Sequence, residues 1–414
     1  MMTLNTVAKA AKAYASDPQT LERARVSPKY FTRMRKMGFS EHIFFLLNQV
    51  NTSTRTALRG FFKRVLDRDA PMSQQALSKA RSHFDHSPFQ GLFDVVNGMR
   101  YCGEHEIRRW NGYQILAVDG SDITLPNSPA LLETFGGSGR NADCPMAEGS
   151  IMLDILNDFI IDACLNPYGT SEREMALGHI DKLLDLCPDG DKLLIFDRGY
   201  PSLGLIGQLG QRNLRFLMRV KAGWNGGVDQ AVGLDNRVTL SDGTIIRVIK
   251  LTLPCGETET LITNLFALQA DQFGPLYFLR WPVETKYDIV KNKLSLENFS
   301  GISENVIRQD FWVCMLLANI VSVAKEEANV LVEQRRADKD NLYPYIPNTA
   351  DLIASLKDEF VRACLEPSTR KRNKRIAAVI DEISRSVIPV RNGRSFPRRS
   401  PRKAKAHHNA KSPT

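Results

Sequence analysis

Four consecutive apolar residues, Leu193-Leu194-Ile195-Phe196, run straight into Asp197-Arg198-Gly199-Tyr200-Pro201-Ser202. A short run apolar on every side reads as a strand buried on both faces, which needs helices packed on either side of its sheet. The flanks supply them. Glu172 to Leu186 has helical periodicity and ends at Cys187-Pro188-Asp189-Gly190. Ser202 can cap a second helix, LGLIGQLGQR. Phe216 to Lys221 is then another strand. Upstream, Tyr113 to Val118 predicts a strand ended by Asp119-Gly120-Ser121-Asp122. Ser150 to Leu156 and Phe159 to Leu165 alternate around the turn Asn157-Asp158 and predict an antiparallel pair. Three strands of antiparallel type, a helix, a strand, a helix and a strand describe an α/β, ribonuclease-H-like core: a mixed five-stranded sheet with flanking helices.

Helical periodicity vanishes between Gly223 and Asn264. There NRVTLSDGTIIRVIKLTL and ETETLITNL carry β-branched residues around Asp242-Gly243 and Cys255-Gly256 turns, a β-rich insertion that interrupts the core. The expected division is a helical segment over 1–99, a first core part over 100–222, the insertion over 223–264, a second core part over 265–330, a helical region over 331–390 and a basic tail over 391–414. The tail holds eight Lys/Arg and no acid, which leaves 47 basic against 46 acidic groups in the first 390 residues. The excess of positive charge is therefore a tail property, a disordered segment able to add non-specific DNA affinity. Seven cysteines at 102, 144, 164, 187, 255, 314 and 364 show no zinc or disulfide spacing. The N-terminus lacks the apolar core of a signal peptide, and the Phe311–Ala324 stretch is too short for a typical span. The expectation is a soluble, cytoplasmic protein of a reducing compartment.

Two features of the first hundred residues could touch DNA. Arg23, Arg25, Lys29, Arg33, Arg35 and Lys36 form a basic stretch around Tyr30 and Phe31, and Pro71 to Gln75 looks like a cap before a helix, ALSKARSHF. That helix could read DNA, or the whole could be a bundle with a solvated basic face.

Three acids stand out by position. Asp119 and Asp197 each follow an apolar strand, the usual place for ligands in a sheet-based site. Glu284 lies in Tyr277-Phe278-Leu279-Arg280-Trp281-Pro282-Val283-Glu284, seven residues before Lys291. At roughly 100° per helical residue, Tyr277, Arg280, Glu284 and Lys291 fall at about 0°, −60°, −20° and −40°, one narrow polar stripe. Pro282 is expected in the first turn of that helix, with Tyr277 and Arg280 supplied by the turn before it. Three carboxylates are a hard-oxygen set suited to a pair of Mg²⁺ or Mn²⁺ ions about 3.5–4 Å apart. Arg280 and Lys291 would grip phosphates beside them.

AVDGSDITLP, LIFDRGYPS and Y-(2)-R-(3)-E-(6)-K, in that order and with a β insertion before the last, resemble the DDE transposases of the insertion-sequence-four family. The resemblance covers roughly residues 105–320 and includes Pro167-Tyr168-Gly169 with Glu172-Arg173-Glu174, and RVK at 219–221. It implies Asp119, Asp197 and Glu284 as catalytic metal ligands, and Tyr277, Arg280 and Lys291 as DNA contacts. It also implies two divalent ions, double-stranded DNA as substrate, terminal-repeat binding by the N-terminal segment, and a homodimer that pairs two ends. Relatives that cut through a hairpin hold a flipped base on an insertion Trp. Here the matching strand offers Glu259 or a neighbour, and Trp224 is expected to pack or sit in a loop.

Other acids have plainer expectations. Asp122 would form the turn, Asp154 and Asp162 would face solvent, and Glu172 and Glu174 would favour a helix start. Trp281 and Trp312 would be core, while His105 and His179 would be structural or on the surface. A ribonuclease-H-like nuclease without strand transfer, and a DNA-binding protein that has lost catalysis, remain open alternatives.

Overall fold

The computed structural model describes residues 2–33, 35–48, 53–69, 71–103, 105–138, 141–253 and 256–391; Cys255 and the basic tail beyond Arg391 lie outside them. The chain forms two compact units, one from Met1–Arg100, Thr124–Met146 and Ile289–Thr414, the other from Tyr101–Ile123 and Ala147–Asp288.

The second unit is built on a mixed sheet. In chain order the strands of the sheet are β1 Gln114–Thr124, β2 Gly137–Ser138, β3 Asn141–Asp154, β4 Phe159–Pro167, β5 Lys192–Phe196, β6 Arg215–Val220, β7 Asp235–Thr239, β8 Ile245–Thr252 and β9 Thr258–Thr263. The short β2 pairs only with the start of β3, inside the first unit. The order runs β3-β1-β5-β6-β9-β8-β7, with β4 beside β3. Strand β5 is parallel to both neighbours, and each parallel step uses a helical crossover: Glu172–Leu186 leads into β5 and Leu203–Gln211 carries the chain to β6. Ser202 caps the latter, its hydroxyl accepting from the Leu205 amide at 3.2 Å. One core packs Leu116, Leu194, Phe196, Phe216 and Met218 against Ala176, Ile180, Leu183, Leu205 and Leu209 of those helices. All five residues of β5 are buried, as its apolar run requires.

The five core strands thus lie side by side, but β6 is not an edge. The antiparallel strands β9, β8 and β7 from residues 235–263 continue the same sheet. Two further expectations are corrected. Strand β1 does not end at Asp119; it runs on to Thr124, so Asp122 is an exposed strand residue and not a turn former. Asp154 is fully buried, accepting from Gln114 Nε2 at 2.7 Å, Asn157 Nδ2 at 2.8 Å and Tyr101 Oη at 3.1 Å. A carboxylate so enclosed is tolerable because donors surround it.

The first unit is helical, as its lack of β-branched runs implies. The segments Leu4–Ser16, Pro18–Ala24, Phe39–Asn48, Thr54–Gly60, Gln74–Arg81 and Ser87–Tyr101 precede the sheet in sequence, and the 33-residue helix Glu304–Arg336 follows it. That long helix is apolar enough to cross a membrane by length and composition, yet most of its apolar window is buried inside the protein, including Phe311, Trp312, Leu316 and Ile320. Arg81 at the end of Gln74–Arg81 is 3% exposed and binds Asp310 Oδ1 at 2.9 Å and Gln309 Oε1 at 2.9 Å. The helices Thr349–Leu356, Glu359–Leu365 and Thr369–Ile383 complete the unit, with the small antiparallel pair Tyr345–Pro347 and Val387–Pro389.

Candidate active site

Register places the first two acids. In the β1–β5 pair Ala117 stands opposite Ile195, and two residues further along come Asp119, still within β1, and Asp197, the residue just past the end of β5. Residues two apart share a face, so the sheet delivers both carboxylates at one level from adjacent parallel strands, which run about 4.8 Å apart. The backbone of Asp119 is held firmly: its carbonyl accepts from Tyr287 Oη at 2.9 Å and Ser150 Oγ at 3.2 Å.

The third acid arrives differently from the expected stripe. Tyr277 lies in a short helix, Phe273–Phe278; the chain turns at Leu279 and Arg280; a new helix, Trp281–Asp288, then carries Glu284 in its first turn. Pro282 sits in that first turn, where its missing N–H costs nothing. Within this unit the residues meet: Tyr277 Oη donates to Asp197 Oδ1 at 3.3 Å, and Arg280 Nη2 donates to Glu284 Oε1 at 2.7 Å. Arg280 Nη1 lies 4.0 Å from Asp119 Oδ2. Arg280 is thereby a hub for the acids from three separate chain segments.

Lys291 is not carried by the same regular helix. Residues Ile289–Lys293 form a π-turn, whose wider winding breaks the 100° step on which the stripe was reckoned, and they belong to the other unit. Its Nζ lies 3.6 Å from Glu297 Oε1. Trp281 is 51% exposed and not core, while Trp312 is buried as expected.

Burial sets the electrostatics, and crowding of like charge adds to it. Burial pushes the Asp119 carboxyl up to about 6, with Arg280 pulling down and Glu284, Asp197 and Glu172 pushing further up. Burial would lower the Arg280 value, but Tyr277, Asp197, Asp119 and the Glu284 hydrogen bond outweigh it and hold the guanidinium charged. Burial raises the Tyr277 phenol, and Asp197 adds to the rise, so it stays a donor.

Three residues beyond the expected set join this site. Glu172, in the first turn of its helix, has one carboxylate oxygen 3.0 Å from where a Cβ on Gly120 would stand, and the other 3.0 Å from where a Cβ on Gly199 would stand. Both glycines neighbour a candidate acid, and their lack of side chains leaves room for a fourth carboxylate. Burial raises Glu172, and Glu148, Asp122 and Asp197 add to the rise. Arg173 clamps the loop after Asp197, donating to the carbonyls of Tyr200 and Gly199 at 3.0 Å each and of Pro201 at 3.4 Å. Tyr200 is 1% exposed, and its hydroxyl has no partner among the described residues. Burial raises its value, with Glu172, Asp119 and Asp197 contributing, so the phenol faces the acids. The one sequence signal for this group was Glu172-Arg173-Glu174 at a helix start; Glu174 itself is exposed.

Remaining expectations resolve locally. Trp224 packs on the core and donates through Nε1 to the Pro201 carbonyl at 3.1 Å. Glu259 pairs with Arg219 at 3.1 Å. Asp162 is partly covered and not freely solvated, since its Oδ2 lies 2.6 Å from Nδ1 of the buried His179, whose Nε2 is 3.0 Å from Ser150 Oγ.

Hard carboxylate oxygens crowded around a positive charge are the donor chemistry that divalent cations require. In the arrangement described, that charge is the guanidinium of Arg280, and among the described residues no three acids, histidines or cysteines are gathered closely enough to cage an ion. The donor set fits a metal in its chemistry, with Arg280 occupying the middle ground.

The sheet and the helix that follows it thus bring acids from three chain segments around one arginine. The family described as "Transposase DDE domain" matches residues 110–320, about half of the chain, and the chain belongs to that family. It is 25% identical over 178 residues, 42% of its length, to the protein of Escherichia coli (strain K12) named "Putative transposase InsZ". The match spans 57% of that relative. The fold also resembles a cryo-EM structure of piggyBac transposase in a synaptic complex with hairpin DNA, with a TM-score of 0.52 at 11% identity, covering 92% of this chain and 85% of the other.

Proposed function

We propose that this chain is a DDE transposase of the insertion-sequence-four type, with a ribonuclease-H-like catalytic core, that cleaves DNA at an element's terminal inverted repeats and joins the freed ends to target DNA. The observation that carries this is the meeting of Asp119, Asp197 and Glu284, from three chain segments, around Arg280.

Asp119, Asp197 and Glu284 would hold two Mg²⁺ or Mn²⁺ ions, which supply activation of an attacking oxygen and neutralise charge on the leaving one. The chain's own residues do the rest. Tyr277 fixes the Asp197 carboxylate by its hydrogen bond. Arg280 holds the acids together without substrate, and its five donors can instead fork onto a phosphate when DNA enters. Lys291, within the π-turn, would add a phosphate contact of its own. Arg173 keeps the loop after Asp197 in place, and Glu172 supplies a carboxylate able to orient Tyr200 or hold a proton near Asp119. The N-terminal helices over 1–99 would bind the ends, two copies would pair two ends as a homodimer, and the protein would act on cytoplasmic DNA.

The test is strand cleavage and joining of an end-containing duplex with Mg²⁺ by the wild type and by Asp197→Ala. Cleaved and joined products from the wild type alone support the reading; equal activity in both defeats it. Nicks without joined products would favour a nuclease without strand transfer.

A further inference from the structure

The helical unit contains a cavity of about 500 Å³ in the range of small-molecule sites. We propose that it receives one unstacked nucleotide of a DNA strand. Lys29, Arg33, Arg35, Lys36 and Lys79 line it, no carboxylate does, and none of the five is ion-paired among the described residues. All five are exposed, with Lys36 Nζ donating to the Pro71 carbonyl at 3.1 Å and Lys29 Nζ lying 5.4 Å over the Tyr30 ring, so the hollow carries a positive field that favours an anion.

The rest of the wall demands an aromatic ring with an N–H. Tyr30 stacks on His83 with centroids 3.7 Å apart and planes 6° from parallel, a flat platform at the cavity edge. Burial lowers the His83 value, with Lys79, Arg35 and Lys29 adding to the effect, so that ring is neutral and several cations converge on it. His42, 2% exposed, also lines the cavity. Its Nδ1 lies 2.8 Å from the Gly38 carbonyl, which can only accept, so the proton sits on Nδ1. Nε2 is then a bare acceptor, buried and without a partner among the described residues. A ring N–H or exocyclic amine of a nucleobase supplies the missing donor, the Tyr30–His83 platform supplies stacking, and the cations take the phosphates on either side. Inorganic phosphate would leave platform and acceptor unused. A free mononucleotide would use only part of the positive charge, so the occupant belongs to a strand. The choice of DNA rests on the function proposed above.

The experiment uses the full chain in EDTA, so that no cleavage occurs, and a duplex carrying a fluorescent aminopurine either extrahelical or paired. The extrahelical probe should bind about tenfold more tightly, with its fluorescence quenched by stacking. Tyr30→Ala should abolish preference and quenching while Tyr30→Phe retains both. Lys79→Gln should weaken both probes alike and lower the salt slope by about one. Equal affinity without quenching, or a preference unchanged in Tyr30→Ala of unaltered melting temperature, overturns the proposal. So does a free deoxynucleoside monophosphate that binds as tightly as the extrahelical probe, or a ribonucleotide probe preferred over the deoxy one. Should Tyr30→Ala unfold, Tyr30→Phe and Lys79→Gln still decide. Because cleavage is not the readout, retained probe binding with no strand cleavage would defeat only the transposase reading.

Discussion

Arg81 in the helical unit and Arg280 in the sheet unit are both largely buried arginines that meet carboxylates, and they are put to opposite uses. Arg81 faces one acid, Asp310, and its remaining donors find Gln309 and Ser300, so charge and hydrogen bonds balance. Arg280 faces Glu284 at 2.7 Å and Asp119 at 4.0 Å with Asp197 and Glu172 in the same field, more negative charge than one guanidinium can offset. A balanced buried pair fixes structure. An unbalanced one keeps a standing demand for a further cation.

Breaking that contrast should begin with the acids. Asp119→Ala or Asp197→Ala should lower DNA cleavage by more than the roughly 10–100-fold typical of outer-shell groups, measured on an end-containing duplex, with little change in thermal midpoint. Arg81→Ala should do the reverse, costing about 1–3 kcal/mol by denaturant titration, because Gln309 Oε1 loses its buried donor and half-buried Asp310 keeps its bonds from Ser300 but loses the guanidinium. Arg280→Gln should cost less stability than Arg81→Ala while impairing cleavage, and equal destabilisation of the two would mean that both arginines serve structure alike.

Proton linkage sharpens the comparison. Asp119 titrates near 6 in the folded protein, above its ordinary value, so it holds a proton across roughly pH 4 to 6 that the unfolded chain has lost. Folding stability from this group therefore falls as pH rises through that window, and Mn²⁺ affinity, which needs the ionised form, should fall as pH drops below 6. Calorimetry in two buffers should show proton release on binding near pH 5.5. Glu172→Gln removes one like charge and should shift that titration downward, with about a tenfold loss of cleavage at most. His179 bears on stability alone. Burial lowers its value but hydrogen bonding to Asp162 raises it to about 9. Its stabilisation is complete below about pH 6.5 and lost as pH rises through 9, seen as a falling midpoint that His179→Gln should flatten.

Much of this site was legible in the sequence because strand chemistry is local. The apolar runs before Asp197 and Asp119 and the helix over Glu172–Leu186 each carry their own signal, and the structure forms a strand, a longer strand than read, and a helix there. What escaped depends on contacts distant along the chain. Nothing near Asp154 announces that Gln114 and Tyr101 will surround it. Nothing near Lys291 announces a π-turn, since Ile289-Val290-Lys291-Asn292-Lys293 suits a regular helix equally well in its residue types. Glu172 reads as an ordinary helix-start acid until Gly120 and Gly199 are seen to leave it space. The β-rich stretch reads as an insertion, and only pairing of β9 with β6 shows it as continuous sheet.

The alignment of Ala117 with Ile195 has a consequence for how such genes decay. Gaining or losing a single codon in β1 upstream of Asp119 would turn that carboxylate to the opposite side of the sheet. The resulting chain, its reading frame intact, could still collapse around much the same apolar residues and persist in the cell as an inert copy, its chemistry gone.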